Sequence, residues 1–162
     1  MSFNGISNLD RSIDKTNAWL AGIAAELGTG DRQFAYRVTR AWLHALRDRL
    51  PLSVAANFAA QLPELLRGVF YGGWSPNRVP VKFGPNEYVL RFARDAGIRD
   101  TEVAPTARLV TRAVRRHVSS GVLDEVLDVL PPDLSQHVES VGAAKPAAGS
   151  RLSRRRWRDA VH

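Results

Sequence analysis

Between Phe34 and Leu46 the apolar residues of this chain return every third or fourth position: Phe34, Val38, Ala41, Trp42, Ala45 and Leu46. That is the period of one face of an α-helix; a strand would scatter the same residues over both of its sides. Similar spacing recurs along the chain, as at Ile13, Trp19 or Leu20, Ile23 and Leu27, and nowhere is there convincing alternation with a period of two. The sequence therefore predicts an all-α fold.

Stop and start residues divide this pattern into about eight helical segments. The first runs from about Ser12 to Leu27, with Gly28 as its C-terminal stop. Asp31 is the expected N-cap of a second helix, which continues to about Leu50 and ends at Pro51. Ser53 is expected to cap "VAANFAAQL", and Pro63 to occupy the first turn of "PELLRGVFY". "NEYVLRFARDAG", a helix from Pro105 to about Val118, "VLDEVLDVL" and "PPDLSQHVESV" complete the set.

The segments repeat. Thr39-Arg40-Ala41 aligns with Thr111-Arg112-Ala113, and Leu62-Pro63-Glu64-Leu65 with Leu130-Pro131-Pro132-Asp133-Leu134. Two copies are too few for a solenoid, so a pseudo-duplicated helical bundle in two related halves is expected. Residues 1–72 form the first half, 73–85 an ordered connecting loop, 86–142 the second half and 143–162 a flexible basic tail. The connector belongs to "YGGWSPNRVPVKFGP", which interrupts the helices with three prolines and three glycines. Its Trp74, Val79, Val81 and Phe83 are expected to pack across the seam between the halves.

"AYRVTRAWLHALRDRLPLSVAANFAAQLPELLRGVFYGGW" resembles an uncharacterised bacterial family catalogued as domain of unknown function twenty-two sixty-seven. The resemblance spans about residues 10–140 and is densest from Tyr36 to Trp74, in "LHALRDRLP", "AAQLPELLRG" and "YGGW". It implies an all-helical fold and carries no activity or catalytic residue to this chain.

The net charge of +7 suggests nucleic acid until it is located. Residues 145–162 carry six basic residues against Asp159 alone, which leaves 17 basic and 15 acidic residues in 1–144. The body is nearly neutral and the basicity sits in the tail. With no cysteine, the chain has no thiolate nucleophile or cysteine-bound zinc, and it fits a cytoplasmic setting. The N-terminal stretch lacks the pattern of a secretory signal, and no apolar run approaches the length of a membrane span. His44, His117, His137 and His162 have no metal-ligand spacing, and His44 is read as a solvated histidine beside arginines. Asp124, Glu125 and Asp128 read as a solvated acidic face, and "GTGD" at 28–31 as a helix–helix turn. No catalytic residue, metal site or cofactor is assigned.

Three groups of residues are candidate contacts. Arg154, Arg155, Arg156, Trp157 and Arg158 can grip phosphates while the indole stacks on a base. Arg37, Arg40, Arg112 and Arg115 belong to arginine stripes on the second helix and on its repeat; nearby acids such as Asp31, Asp48 and Asp124 offer them partners. Trp74, Arg78 and Lys82 are the loop's candidates. The expected function is a non-enzymatic interaction module for a macromolecular partner, protein or nucleic acid. Nucleic-acid or ribosome binding through the tail is the alternative, ahead of an enzyme or small-ligand binder with a pocket between the halves.

Overall fold

Gly28 ends the first helix with a left-handed backbone, φ 67°, which a side chain would strain, and its N–H returns to the Ala25 carbonyl. The Asp31 carboxylate then accepts the Phe34 N–H at 3.0 Å and opens the second helix. Gly97 closes a later helix in the same way, at φ 69°. A computed structural model describes residues 5–139, and among them there is no strand. The helices are α1 (Ser7–Leu27), α2 (Arg32–Arg47), α3 (Leu52–Ala59), α4 (Glu64–Tyr71), α5 (Pro85–Ala96), α6 (Asp100–Val114), α7 (Ser120–Val129) and α8 (Pro132–Val138). A single 3-10 turn, Pro76–Arg78, lies between α4 and α5.

Several boundaries differ from the sequence reading, among them the ends of α2, at Arg47 rather than about Leu50, and of α6, at Val114 rather than about Val118. α1 starts at Ser7, because the polar first turns hold a place on the bundle that periodicity alone does not reveal. The prolines Pro51, Pro63 and Pro131 stand just before their helices as extended N-cap residues, so Ser53 is not the cap of α3 and Pro63 is not inside α4. α6 begins at Asp100, so that Pro105 lies inside it. Thr101, whose carbonyl loses a helical hydrogen bond to that proline, is exposed and open to water.

α2 packs against α1, α4, α5 and α6, and every residue from Ala41 to Arg47 is buried. This corrects the reading of His44: α4 covers what a two-sided helix would leave wet. The histidine is 9% exposed, and its Nε2–H donates to the Val69 carbonyl at 2.6 Å. Around α2 the rings of Trp42, Phe58, Phe70, Tyr71 and Trp74 form a continuous chain, with neighbouring centroids 5.1 to 6.0 Å apart. Trp42 is fully buried, and its indole N–H donates to the Thr111 hydroxyl at 3.0 Å, tying α2 to α6. Truncating such an aromatic typically costs about 3–5 kcal/mol.

The helix neighbours obey an exchange rule. α2 packs on α5 as α1 packs on α6, and α1 meets α2 as α5 meets α6. α4 lies on α1 and α2 as α8 lies on α5 and α6, while α2 faces α6 and α3 faces α7. Swapping α1–α4 with α5–α8 leaves those neighbours unchanged, the contact of α7 with α8 aside. The connector between these sets is pinned at both sides. Val81 donates its N–H to the Asp48 carbonyl at 2.7 Å, and Phe83 is buried with the Arg91 guanidinium 4.7 Å above its ring.

Candidate binding cleft

The two arginine stripes are largely engaged within the fold. Arg37 lies over the Phe34 ring and reaches the Ala96 carbonyl, and Arg47 is buried, donating to the carbonyls of Phe70 and Gly72. Arg112 and Arg116 both pair with Glu26, while Arg115 binds Asp124 and Glu139. Arg40 is exposed and has no ion pair among the described residues. In the connector Trp74 packs on Tyr71, with its buried indole N–H lacking an acceptor, and Arg78 and Lys82 are exposed. The gap beside Phe83 and Tyr88 is too tight for a water molecule. Arg154, Arg155, Arg156, Trp157 and Arg158 lie outside the described residues.

An open cleft of about 500 Å³ lies elsewhere, between α1 and the α3–α4 turn. One wall is the α1 face carrying Arg11, Lys15 and Trp19, positions four residues apart and so one above another. The other wall is the turn from Ala60 to Glu64, with Arg67 behind it, and His117 closes one end. Ser12 builds the joint between the walls. It is 5% exposed, and its hydroxyl accepts the Leu65 N–H at 3.1 Å. Thus α1 provides the capping oxygen that Pro63, at the N-cap of α4, cannot offer. Arg67 holds the opposite wall by donating to the Ala59 and Leu62 carbonyls, where α3 ends. Gln61 accepts the Ser119 N–H at 3.3 Å and links the turn to the α6–α7 connection.

At the end of the cleft the His117 imidazole stacks on Trp19, centroids 4.8 Å apart and planes inclined by 20°. Gly22 makes the approach possible, since a Cβ there would stand 3.3 Å from His117 Nε2. Trp19 is buried, whereas His117 is exposed along its other side. Partial burial, reinforced by the Arg116 charge, pushes the His117 pKa below its ordinary value. The ring is therefore neutral at neutral pH, and the charge of the cleft comes from Arg11, Lys15 and Arg67 against Glu64.

Arg11 and Lys15 are exposed and, among the described residues, make neither an ion pair nor a hydrogen bond. Like charges one helical turn apart repel by roughly 0.2–0.5 kcal/mol, a cost that a bound anion would reverse. The cleft thus has the chemistry of an anion site. Among the described residues no three His, Cys, Asp or Glu side chains gather to hold a metal ion, and no helix is long and apolar enough to cross a membrane. Asp124 pairs with Arg115, and Glu125 and Asp128 are exposed.

Sequence reasoning missed this cleft. The spacing of Arg11 and Lys15 is visible in the sequence, but the arrival of the α3–α4 turn and of His117 beside them is set by tertiary packing. Comparison with known families matches residues 16–137 to the one described as uncharacterized conserved protein (DUF2267), and the chain belongs to that family. Trp19, Arg67 and His117 lie within the matched span; Arg11 and Lys15 lie just before it. No curated protein matches the chain.

Proposed function

We propose that this member of the family is a non-enzymatic interaction module of the cytoplasm, holding an anionic group of a macromolecular partner in the cleft between α1 and the α3–α4 turn. The observation that carries the reading is a contrast among cations. Arg112, Arg115 and Arg116 are engaged with carboxylates of the fold, while Arg11 and Lys15 face an open cleft without a partner. Surface cations already in pairs offer an incoming anion less than unpaired ones, because the existing pair must first be broken. The duplication of the chain belongs to the same proposal: it is supported by the aligned Thr39 and Thr111 and by helix neighbours that survive exchange. On this view one half has been specialised for binding.

Retention on an immobilised polyanion tests the reading. Arg11→Gln/Lys15→Gln and Arg112→Gln/Arg116→Gln remove the same charge from two places. The first pair is expected to elute at clearly lower salt than the second. Equal elution would reject the cleft.

The basic tail supports a second reading, nucleic-acid or ribosome binding through Arg154, Arg155, Arg156, Trp157 and Arg158. Its support is the sequence itself, five residues of which four are guanidinium and one is a stacking indole. A chain ending near Ala144 that binds RNA as tightly as the full chain would remove it.

A further inference from the structure

We infer that the cleft takes single-stranded nucleic acid, one base lying on the open face of His117 and the flanking phosphates on Arg11 and Lys15. The inference rests on the reading of the cleft as an anion site and adds the class of ligand.

His117 and Trp19 form a two-layer aromatic plate at one end of the cleft, covered on the tryptophan side and exposed on the histidine side. An exposed flat ring, backed by a buried one and held close to α1 by Gly22, is a platform for another flat ring. Burial keeps this imidazole neutral at neutral pH, so the plate attracts by stacking rather than by charge. Arg11 and Lys15 stand on the same wall as Trp19, separated along the helix by a rise of about 6 Å. That separation is of the order of one nucleotide step in an extended strand. Glu64, on the facing wall, would repel phosphates, so the backbone must run along α1 while the base points to the plate. A duplex is excluded because its bases are stacked on one another and cannot reach His117. A phosphorylated peptide or an acidic lipid would use the cations and leave the plate without a role.

The test is fluorescence anisotropy with the full chain and labelled oligoadenylate, an abasic strand of the same charge, and an acidic peptide. Oligoadenylate should bind about tenfold tighter than the abasic strand, the effect of one stacked base. His117→Ala should remove that advantage and leave abasic binding unchanged, while His117→Phe should restore it. Arg11→Gln/Lys15→Gln should weaken both strands and lower the slope of log K against log salt by about 0.7 per lost phosphate contact. If His117→Ala loses helical circular dichroism, His117→Gln, which keeps the volume and removes the aromatic face, takes its place in the same comparison.

Equal binding of the two strands, with Arg11 and Lys15 still required, would overturn base stacking and leave the anion reading standing. Tighter binding of the acidic peptide would overturn the inference in favour of a protein partner. Indifference of every probe to Arg11 and Lys15 would overturn inference and reading together. The same holds if only Gln substitutions at Arg154, Arg155, Arg156 and Arg158 weaken binding.

Discussion

The last carbonyls of α4 are taken by side chains of α2, and the last carbonyls of α8 by side chains of α6, yet the chemistry of these two joints differs. At the first, His44 donates to Val69 and Arg47 donates to Phe70 and Gly72, both from buried positions. At the second, the buried Thr111 hydroxyl donates to Val138 at 2.7 Å, while Arg108 reaches Gln136 at the surface. A helix end leaves carbonyls without partners wherever it occurs, so each joint had to supply donors. What differs is whether water could replace them. A lost donor costs much where the carbonyl stays dry and little where solvent enters.

The sharpest way to break this contrast is to remove Arg47, which is 5% exposed. Arg47→Met keeps most of the packing volume, leaves the buried Phe70 carbonyl without this donor, a loss worth about 1–3 kcal/mol, and removes a second bond to the more exposed Gly72 carbonyl. A loss of about 3 kcal/mol is expected in urea unfolding, with a fall in Tm on the order of 10 °C. A loss below about 1 kcal/mol would show that water reaches the Phe70 carbonyl, and the distinction between the joints would fail.

A pair of aligned threonines gives the next largest effect. Thr39 and Thr111 are both buried; Thr39 donates to the Ala35 carbonyl four residues earlier in its helix, whereas the single Thr111 hydroxyl proton is shared between the Ala107 carbonyl at 2.9 Å and the Val138 carbonyl at 2.7 Å. Thr111 also accepts the Trp42 indole N–H and reaches Val138, whereas Thr39 has no such duty. Thr111→Val should therefore cost about 2 kcal/mol by orphaning a buried donor, while Thr39→Val should stay within about 0.5 kcal/mol. Parallel denaturant curves for the two variants check this, and equal costs would make the aligned positions equivalent after all.

These joints also show where the sequence was readable. Gly28, Asp31 and Gly97 act through their own backbone or the next turn, and local chemistry is enough to place them. His44 and Arg47 lie beside the strongest apolar face of α2, and periodicity assigns that flank to water. Only α4, brought back by the turn at Pro63, buries it. The cleft was hidden for the same reason: Arg11 and Lys15 share one helix, but Arg67, the far wall and the outer ring of the aromatic plate come from distant segments. Pro105 misled in the other direction, since a local start signal gave way to Asp100 and Glu102 one turn earlier.

The first joint alone should respond to pH. Burial is the main cause of a lowered His44 pKa; the Val69 carbonyl opposes it, Arg47 and Arg40 reinforce it, and Asp48 opposes it. The unfolded chain therefore takes up a proton at about pH 6.5, before the folded chain does. The contribution is complete above that value and is lost as pH falls below it towards the lower folded pKa. His44→Gln retains an N–H donor for Val69 and removes the titration, so its stability should fall less between pH about 7.5 and about 5.5. His117, also lowered, leaves a residual slope of the same sign. Hydrogen exchange should show α4 amides loosening on acidification more than those of α8, and identical responses would detach the effect from His44.

Arg108 offers the smallest effect and completes the contrast with Arg47. Both guanidinium groups donate to carbonyls at a helix end, Arg47 at α4 and Arg108 at α8, and Arg108 does so twice, at 2.8 and 3.2 Å. By distance alone the two arginines would be ranked together. Exposure separates them: when Arg108 is replaced by Gln, water can take its place at the Gln136 carbonyl, and the ordering entropy of a long side chain is returned. Arg108→Gln should therefore cost less than about 1 kcal/mol, against about 3 kcal/mol for Arg47→Met. A cost for Arg108→Gln close to that of Arg47→Met in the same urea series would mean that geometry, not access to water, sets the strength of both joints.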